Sequence, residues 1–250
     1  MNQLWIEETT STNTFLKECL SEIPSMTMLL AKRQSAGRGQ RGNSWESEPL
    51  KNLTFSFYID RNPIDSSALS PIASLHPRDQ FAISEAVALG VSAALADFGI
   101  SANIKWPNDI YVGEKKIAGI LIENSVQENS IICSIVGIGI NVNQIIFRSD
   151  APNPVSMAIV SGQEFPLPEV AEVVGKRLRE FILKLPLRED LHNTFINLLW
   201  RHDGGIYPFK DSTTGECFLA RIKDVEYSGL LVLETEKIIR KYAFKEVAYL

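Results

Sequence analysis

The chain changes character at Gly204-Gly205. Beyond that pair no helical period survives. Residues 206–250 read as short β segments at 206–209, 216–225, 230–234, 237–242 and near Val247, with turns at Thr213-Thr214-Gly215 and Tyr227-Ser228-Gly229. Closely spaced short strands predict a small β-barrel over 204–250. It follows a main domain, 1–203, that mixes long helices with strands, so the chain as a whole reads as α+β with a mixed, largely antiparallel sheet.

Within the main domain, residues 2–7 suggest a strand. Thr10-Ser11-Thr12-Asn13 then offers N-cap chemistry to a helix carrying Phe15, Leu16, Cys19 and Leu20, and Pro24 ends it. Met26 to Ala31 is a short apolar strand, and alternation at Leu53, Phe55, Phe57 and Ile59 predicts a half-buried one. Pro77 opens a long helix with Phe81, Ala88, Val91, Leu95 and Phe98 on one face and Gly99 as its stop. β segments follow near 102–106, 116–124 and 130–141, then amphipathic helices through Val170–Leu185 and around Leu191 to Leu199. Stretches 61–76 and 143–156 read as loops of no assigned role, and His76, His192 and His202 as surface or packing residues.

Composition excludes several classes. The chain has 250 residues, 45% hydrophobic and 22% charged, which is ordinary for a folded domain. Its formal net charge of −5 disfavours nucleic acid as the main partner. No run is expected to reach the ~20 apolar residues of a membrane span, and the first residues carry no secretory leader pattern. Cys19, Cys133 and Cys217 lie far apart, without CxxC spacing, against a zinc site or a disulfide framework. A cytoplasmic protein with no membrane partner is the expectation.

Four short segments carry candidate chemistry. Gly37-Arg38-Gly39-Gln40-Arg41-Gly42 matches G-x-G-x-x-G, with Asp60 downstream. A dinucleotide fingerprint must open a helix at once, whereas Asn43 to Pro49 shows no apolar period, and no Gly-Lys-Ser/Thr follows for a Walker loop. Either the glycines and Arg33, Arg38 and Arg41 admit a phosphate or carboxylate ligand, or this is a solvated loop. Lys105-Trp106-Pro107-Asn108-Asp109 is either a plain turn or a source of oxygen ligands of the kind Mg²⁺ takes. Lys115-Lys116 precedes a strand interrupted by Gly119, as a hairpin turn or as a ligand approach. Gly137-Ile138-Gly139-Ile140-Asn141 makes a side-chain-free strand surface, with Asn141 facing a ligand or capping a strand end.

Together, in this order and spacing, the segments resemble the biotin protein ligase family. The resemblance runs over residues 10–13, 34–45, 105–109, 116–123 and 137–141, and the small terminal β domain fits it too. It implies a catalytic domain like the class II aminoacyl-tRNA synthetases followed by an SH3-like barrel. It implies a ligase that converts biotin and ATP to biotinyl-5′-AMP and pyrophosphate, then transfers biotin to a lysine of a biotin carboxyl carrier protein of acetyl-CoA carboxylase or a related carboxylase. It further implies that Ser11, Thr12, Asn13 and Gln34 bind the polar end of biotin, and that Gly37, Arg38, Gly39 and Gln40 cover it. Lys116 would be the central catalytic cation, assisted by Arg38 and Asp109. Arg41, Trp45, Asn108 and Asn141 would serve ATP, and Asp109 and Asn141 would be candidate Mg²⁺ ligands, with Asp109 alternatively acting on the incoming lysine. Arg38, Arg41, Lys105 and Lys116 are expected around one acyl-phosphate.

Two departures matter. Many members carry arginine where Gln40 stands, which predicts weaker retention of biotinyl-AMP here. The Thr-Ser-Thr-Asn segment begins close to Met1, so the short form without a DNA-binding helix-turn-helix is expected. A ligase or transferase for lipoate or octanoate and a non-catalytic biotin binder are the alternatives. The Gly-Arg-Gly loop and Lys105 to Asp109 favour the biotin branch. A homodimer is possible, and the apolar strand 131–142 would either serve it or lie inside the sheet.

Overall fold

The computed structural model describes residues 2–62, 70–148 and 153–250, and of Arg41 the backbone only. Parts of both unassigned loops, 63–69 and 149–152, lie outside the described residues. The main domain runs β1 (Gln3–Thr9), α1 (Thr12–Glu18), β2 (Met28–Gln34), β3 (Leu53–Asp60), α2 (Phe81–Asp97), β4 (Asn103–Lys105), β5 (Asp109–Val112), β6 (Lys115–Gln127) and β7 (Ser130–Ile140), then α3 (Met157–Ser161), α4 (Leu167–Leu183) and α5 (Arg188–Asn197). β8 (Tyr207–Asp211), β9 (Cys217–Val225), β10 (Leu231–Glu234), β11 (Ile239–Tyr242) and β12 (Val247–Tyr249) follow.

Seven strands form one sheet in the order β1-β2-β3-β7-β6-β5-β4. Only the β1/β2 pair is parallel; the other neighbours are antiparallel, as the α+β reading expects. The last five strands make a separate antiparallel sheet, β11-β10-β9-β8-β12. β7 is hydrogen-bonded on both edges, to β3 and β6, so the apolar strand considered for dimerisation is interior.

Because side chains alternate across a strand, the large sheet has two distinct faces. Phe55, Phe57 and Ile59 of β3 pack with α2 in the main core, while Tyr58 joins Leu16 of α1, Leu29, Cys133 and Ile135 in a smaller one. β3 is therefore buried on both faces rather than half-buried, since α1 covers the face opposite α2. The long helix differs in the same sense. Its apolar residues do not stop at one stripe: α2 is buried almost all round, with α4 and α5 packed behind it. At the closest approach, a β-carbon on Gly90 would stand 3.0 Å from the Leu178 Cα. Pro77–Asp97 is long and apolar enough, by length and composition alone, to cross a membrane, contrary to the sequence expectation; 72% of its apolar window is buried in this fold.

Two features missing from the sequence reading shape the site. Asp109–Val112 is a strand, so Trp106, Pro107 and Asn108 form a tight connection between β4 and β5. Met157–Ser161 is a short helix, capped where Ser156 Oγ accepts from the Ile159 amide. His192 is a packing residue, as expected. Its Nδ1 lies 2.7 Å from Glu85 Oε1 on α2, and its Nε2 lies 3.6 Å from Asp224 Oδ1 on β9. Burial pushes the Glu85 carboxyl up, against the pull of His192 and Arg188.

Candidate active site

The register of the large sheet builds a bare floor. Gly137 pairs with Ser56 on one side and Leu121 on the other; two residues on, Gly139 pairs with Thr54 and Gly119. Residues directly opposite share a face, so these rows look toward α1. The glycines leave room for side chains arriving from elsewhere. A β-carbon on Gly137 would fall 2.4 Å from Asn13 Oδ1. One on Gly139 would fall 2.2 Å from the Trp45 ring, and one on Gly119 would fall 2.9 Å from it.

The Gly37–Trp45 segment is a folded hairpin, not an open loop. The Gly39 amide donates to the Asn43 carbonyl (2.6 Å) and the Trp45 amide to the Gly37 carbonyl (2.9 Å). A 3-10 turn at Gln40–Gly42 caps it, and Gly42 has a φ of 88°, where a side chain would be strained. The hairpin lays the Trp45 indole across Gly119 and Gly139. The backbone of Arg41 sits in the 3-10 turn; its side chain lies outside the described residues.

At one end of the floor is a buried polar cluster. Gln34 Oε1 accepts from the Thr12 amide (2.8 Å) and the Thr12 hydroxyl (3.2 Å). The Ser56 hydroxyl stands 2.7 Å from Thr12 Oγ1 and 2.5 Å from Asn13 Oδ1. Ser11 occupies the N-cap of α1, but its side chain makes no capping bond and lines the cavity instead. Asn13 Nδ2 donates to Glu123 Oε2 (2.8 Å), which Arg38 also reaches (2.5 Å), while Lys17 binds Glu123 Oε1 (2.8 Å). Burial alone would raise the Glu123 carboxyl, but the hydrogen bonds from Lys17, Asn13 and Arg38 outweigh it and hold the carboxyl below the ordinary glutamate range.

At the other end, Lys116 Nζ pairs with Asp109 Oδ1 at 2.7 Å and lies 5.6 Å from the Trp45 ring centroid. Both side chains are about one-quarter exposed (24% and 25%), so the pair is open to a competing anion. Asn108 pins this end: its Nδ2 donates to the Ile120 carbonyl (2.6 Å), and its own carbonyl accepts from the Ile120 amide (3.0 Å). Asn141 Nδ2 donates to the Val155 carbonyl (3.0 Å), while the Val155 amide donates to the Lys116 carbonyl (2.9 Å). Asn141 thereby braces the entrance of β6.

Two cavities meet at this end. The first, of about 60 Å³, takes in Ser11, Thr12, Asn13, Gln34 and the glycine floor. The second is a wider cleft that reaches Lys105, Asn141, Phe244, Lys245 and Tyr249. Gly39, Gln40, Trp45, Asn108, Asp109 and Lys116 line both. Trp45 Nε1 and Gln40 Oε1 are buried there with no hydrogen-bond partner among the described residues. Arg38 and Lys116 line the first cavity, whereas Lys105 lines only the second, so the expected cations do not all surround one point.

Arg33, grouped with Arg38 and Arg41 as an anion-binding set, instead lies on β2, pairs with Glu8 at 3.2 Å and lines neither cavity, because its side chain points to solvent. The other expected side chains that the structure describes line one cavity or the other, and Ser56 and Glu123, to which sequence reasoning gave no role, hydrogen-bond to them. Glu123 ends an apolar run, Ile120-Leu121-Ile122, and an acidic residue there is a signal; Ser56 carries none. A resident metal cage does not fit. Among the described residues no group of three His, Cys, Asp or Glu stands ready for an ion, and Asp109 is engaged by Lys116.

The site is a polar pocket joined by a glycine-floored strip beneath the Trp45 indole to a lysine at its far end, a set of groups that suits an elongated ligand with a polar head and an anionic tail. A family model, the Biotin/lipoate A/B protein ligase family, matches residues 5–141, and the chain belongs to that family. It is 31% identical over 232 residues to the bifunctional ligase/repressor BirA of Bacillus spizizenii, covering 87% of this chain and 64% of that protein. It is 32% identical over 139 residues to the biotin–[acetyl-CoA-carboxylase] ligase of Paracoccus denitrificans, covering 55% of this chain and 53% of that one. The chain thus spans about 64% of the length of the BirA relative it matches. Among solved structures it resembles the biotin protein ligase of Aquifex aeolicus in complex with biotin and ATP, with a TM-score of 0.76 and 26% identity, over 99% of this chain and 97% of that one. The expected class II synthetase-like fold with a small β domain is the fold of these neighbours.

The Glu123 cluster has a measurable signature. Its carboxyl is held low in the folded chain, so its stabilisation is complete above the ordinary glutamate value of about 4.3 and fades as pH falls through the lower folded value. Glu123→Gln is expected to lower stability by about 1–2 kcal/mol at neutral pH. The gap to the parent should shrink on acidification, as read from urea melts between neutral pH and acid.

Proposed function

We propose that this chain is an ATP-dependent biotin protein ligase. It activates biotin to biotinyl-5′-AMP with release of pyrophosphate, then transfers the biotinyl group to a lysine of a biotin carboxyl carrier protein. The observation that carries the reading is the Lys116–Asp109 pair, set where the glycine-floored cavity opens into the wider cleft. Residues 1–203 would form the biotin- and ATP-binding unit and 204–250 the small β domain.

The chemistry asks for this arrangement. Biotin has a polar ureido head and a carboxylate tail. The cluster of Ser11, Thr12, Asn13 and Gln34 offers both donors and acceptors to the head, and the body would lie in the cavity alongside the Trp45 indole that the glycine floor admits. In the first step a carboxylate oxygen attacks the α-phosphorus of ATP and the bond to pyrophosphate breaks. Two anions must meet, and fixed cations offset their repulsion. Lys116, displaced from Asp109 by the incoming groups, takes that role, with Arg38 beside the acyl end. In the second step the carrier lysine attacks the acyl carbon, AMP leaves, and the attacking amine loses a proton. Asp109, freed of Lys116, is the carboxylate placed to accept hydrogen bonds from that amine. The hairpin with Trp45 closes over the slot and keeps water from the mixed anhydride.

ATP takes the wider cleft, beside Trp45 and Asn108. Mg²⁺ would travel with the triphosphate oxygens, since the described residues offer no cage of their own. The carrier of acetyl-CoA carboxylase or a related carboxylase is the expected partner, in the cytoplasm, and the acidic net charge supports no nucleic-acid role.

The direct test mixes the chain with labelled biotin, ATP, Mg²⁺ and a biotin carboxyl carrier domain. Label should enter the carrier only when ATP is present, and Lys116→Ala should reduce the rate by about a hundredfold or more. Transfer of labelled lipoate in place of biotin would contradict the reading. Gln40 supplies a neutral amide to the acyl-phosphate region, so Gln40→Arg is expected to slow release of biotinyl-AMP from the enzyme. Equal release rates for parent and variant, followed by filter binding, would show that this position does not govern retention.

A further inference from the structure

Glu123 stands on β6, two residues beyond Leu121 and on the face that carries the glycine floor; it pairs with Ile135, as Leu121 pairs with Gly137. Its carboxylate collects three donors. Lys17 of α1 reaches Oε1 at 2.8 Å, while Asn13 of α1 and Arg38 of the hairpin reach Oε2 at 2.8 Å and 2.5 Å. Burial acts to raise this carboxyl, but the bonds from Lys17, Asn13 and Arg38 hold it below the ordinary glutamate range, so it is ionised at neutral pH. An ionised carboxylate accepts hydrogen bonds and donates none.

That property runs back through the pocket. A carboxamide can turn either end to a neighbour, but toward Glu123 Asn13 must turn Nδ2, which also donates to the Leu121 carbonyl (3.4 Å). Oδ1 is thereby turned to the glycine floor, where it is the Asn13 atom nearest the place of a β-carbon on Gly137. Ser56, fully buried on β3, has one hydroxyl proton and lies 2.5 Å from this oxygen. Oδ1 can only accept, so the proton goes there. The 2.7 Å contact between Ser56 and Thr12 then falls to the Thr12 hydroxyl, which shares its proton between Ser56 and Gln34. At the far end the Thr12 amide fixes Gln34 Oε1 and leaves Nε2 as the donor.

The cluster is thus a hydrogen-bond chain with one direction, set at one end by a backbone amide and at the other by Glu123. Toward the cavity that Asn13 and Gln34 line, it presents Asn13 Oδ1, with its second lone pair, as an acceptor and Gln34 Nε2 as a donor.

We propose that Glu123 is the positioning residue that fixes the direction of this chain, and with it the preference of the pocket for a cyclic urea, whose ring N–H donates where Asn13 accepts. The proposal rests on the reading that the cavity takes biotin. A site built around one order of donors and acceptors rejects a ligand that presents the reverse, because a buried polar group then faces its like. Glu123→Gln removes the constraint: its carboxamide can accept from Asn13 or donate to it, and both orders become open.

Calorimetric titration of the full chain with biotin and with its two cyclic carbamates, in each of which one ring N–H is replaced by oxygen, tests it. A weakly bound carbamate is measured by displacement of it with biotin. The parent should prefer biotin to one of the two carbamates by about a hundredfold, and Glu123→Gln should shrink that ratio about tenfold, with KM for ATP within about twofold of the parent. Glu123→Asp, which keeps an acceptor-only group, should recover part of the preference. Ser56→Ala, which leaves Asn13 paired with Glu123, should move the ratio less than Glu123→Gln. A loss that acts through Arg38 or through general loosening weakens all three ligands alike. Such a uniform loss, or an unchanged ratio in a folded Glu123→Gln chain, overturns the proposal, as does a parent that prefers biotin to neither carbamate. Where Glu123→Gln does not fold by circular dichroism, Glu123→Met, which removes the acceptor, takes its place and should move the ratio in the same direction. A parent chain that binds no biotin overturns the functional reading beneath it, a result distinct from the others.

Discussion

The site depends on side chains that are not there. Gly119, Gly137 and Gly139 leave the α1 face of two neighbouring strands bare, and three other parts of the chain fill or border the space. Asn13 comes down on Gly137 from α1, the Trp45 indole lies over Gly139 and Gly119 from the hairpin, and Lys116 Nζ would be 3.3 Å from a β-carbon on Gly119. Those contacts set where the polar cluster ends and where the cation begins. A methyl group on any of the three glycines displaces a functional side chain before it touches anything else.

The rest of the fold keeps that floor rigid and the lysine end in register. One face of the sheet is sealed by α2, itself buried beneath α4 and α5. The small sheet is tied to this layer and to the site. Trp106, in the connection that carries Asp109, donates its indole N–H to the Gly229 carbonyl at 3.0 Å. Gly229 has a φ of 91°, and a β-carbon there would meet the Phe81 ring at 2.8 Å. The Glu85–His192–Asp224 chain makes a second tie from α2 through α5 to β9. The turn at Tyr227-Ser228-Gly229 is thus a docking element as well as a hairpin connection.

Much of this was legible from the residues. Alternating glycines at 137 and 139 announced a bare strand surface, and the change of pattern at Gly204-Gly205 announced the second sheet. The failures have physical causes. β3 and α2 present apolar residues on more than one side, but periodicity cannot show how many layers cover them. The glycine-arginine segment has no period of its own because short backbone bonds between Gly37, Gly39, Asn43 and Trp45 fold it, and these leave no trace in hydropathy. Glu123, Ser56 and Tyr249 join the site through pairings across the sheet or between domains, at separations that a linear reading does not connect. Lys105 belonged to a motif, yet the aromatic rings around it, Tyr111, Trp200 and Tyr249, are spread along the chain from β5 to β12, and only the fold brings them together.

On the reading proposed above, the glycine floor, the Trp45 cover and Lys116 form a single adenylation site. Biotin-dependent exchange of labelled pyrophosphate into ATP measures that half-reaction alone, without a carrier. The parent chain is expected to catalyse exchange that requires biotin. Gly139→Ala, whose β-carbon must move the Trp45 ring, is expected to lose about a hundredfold. Absence of biotin-dependent exchange in the parent, or full exchange in a folded Gly139→Ala chain, would contradict that reading.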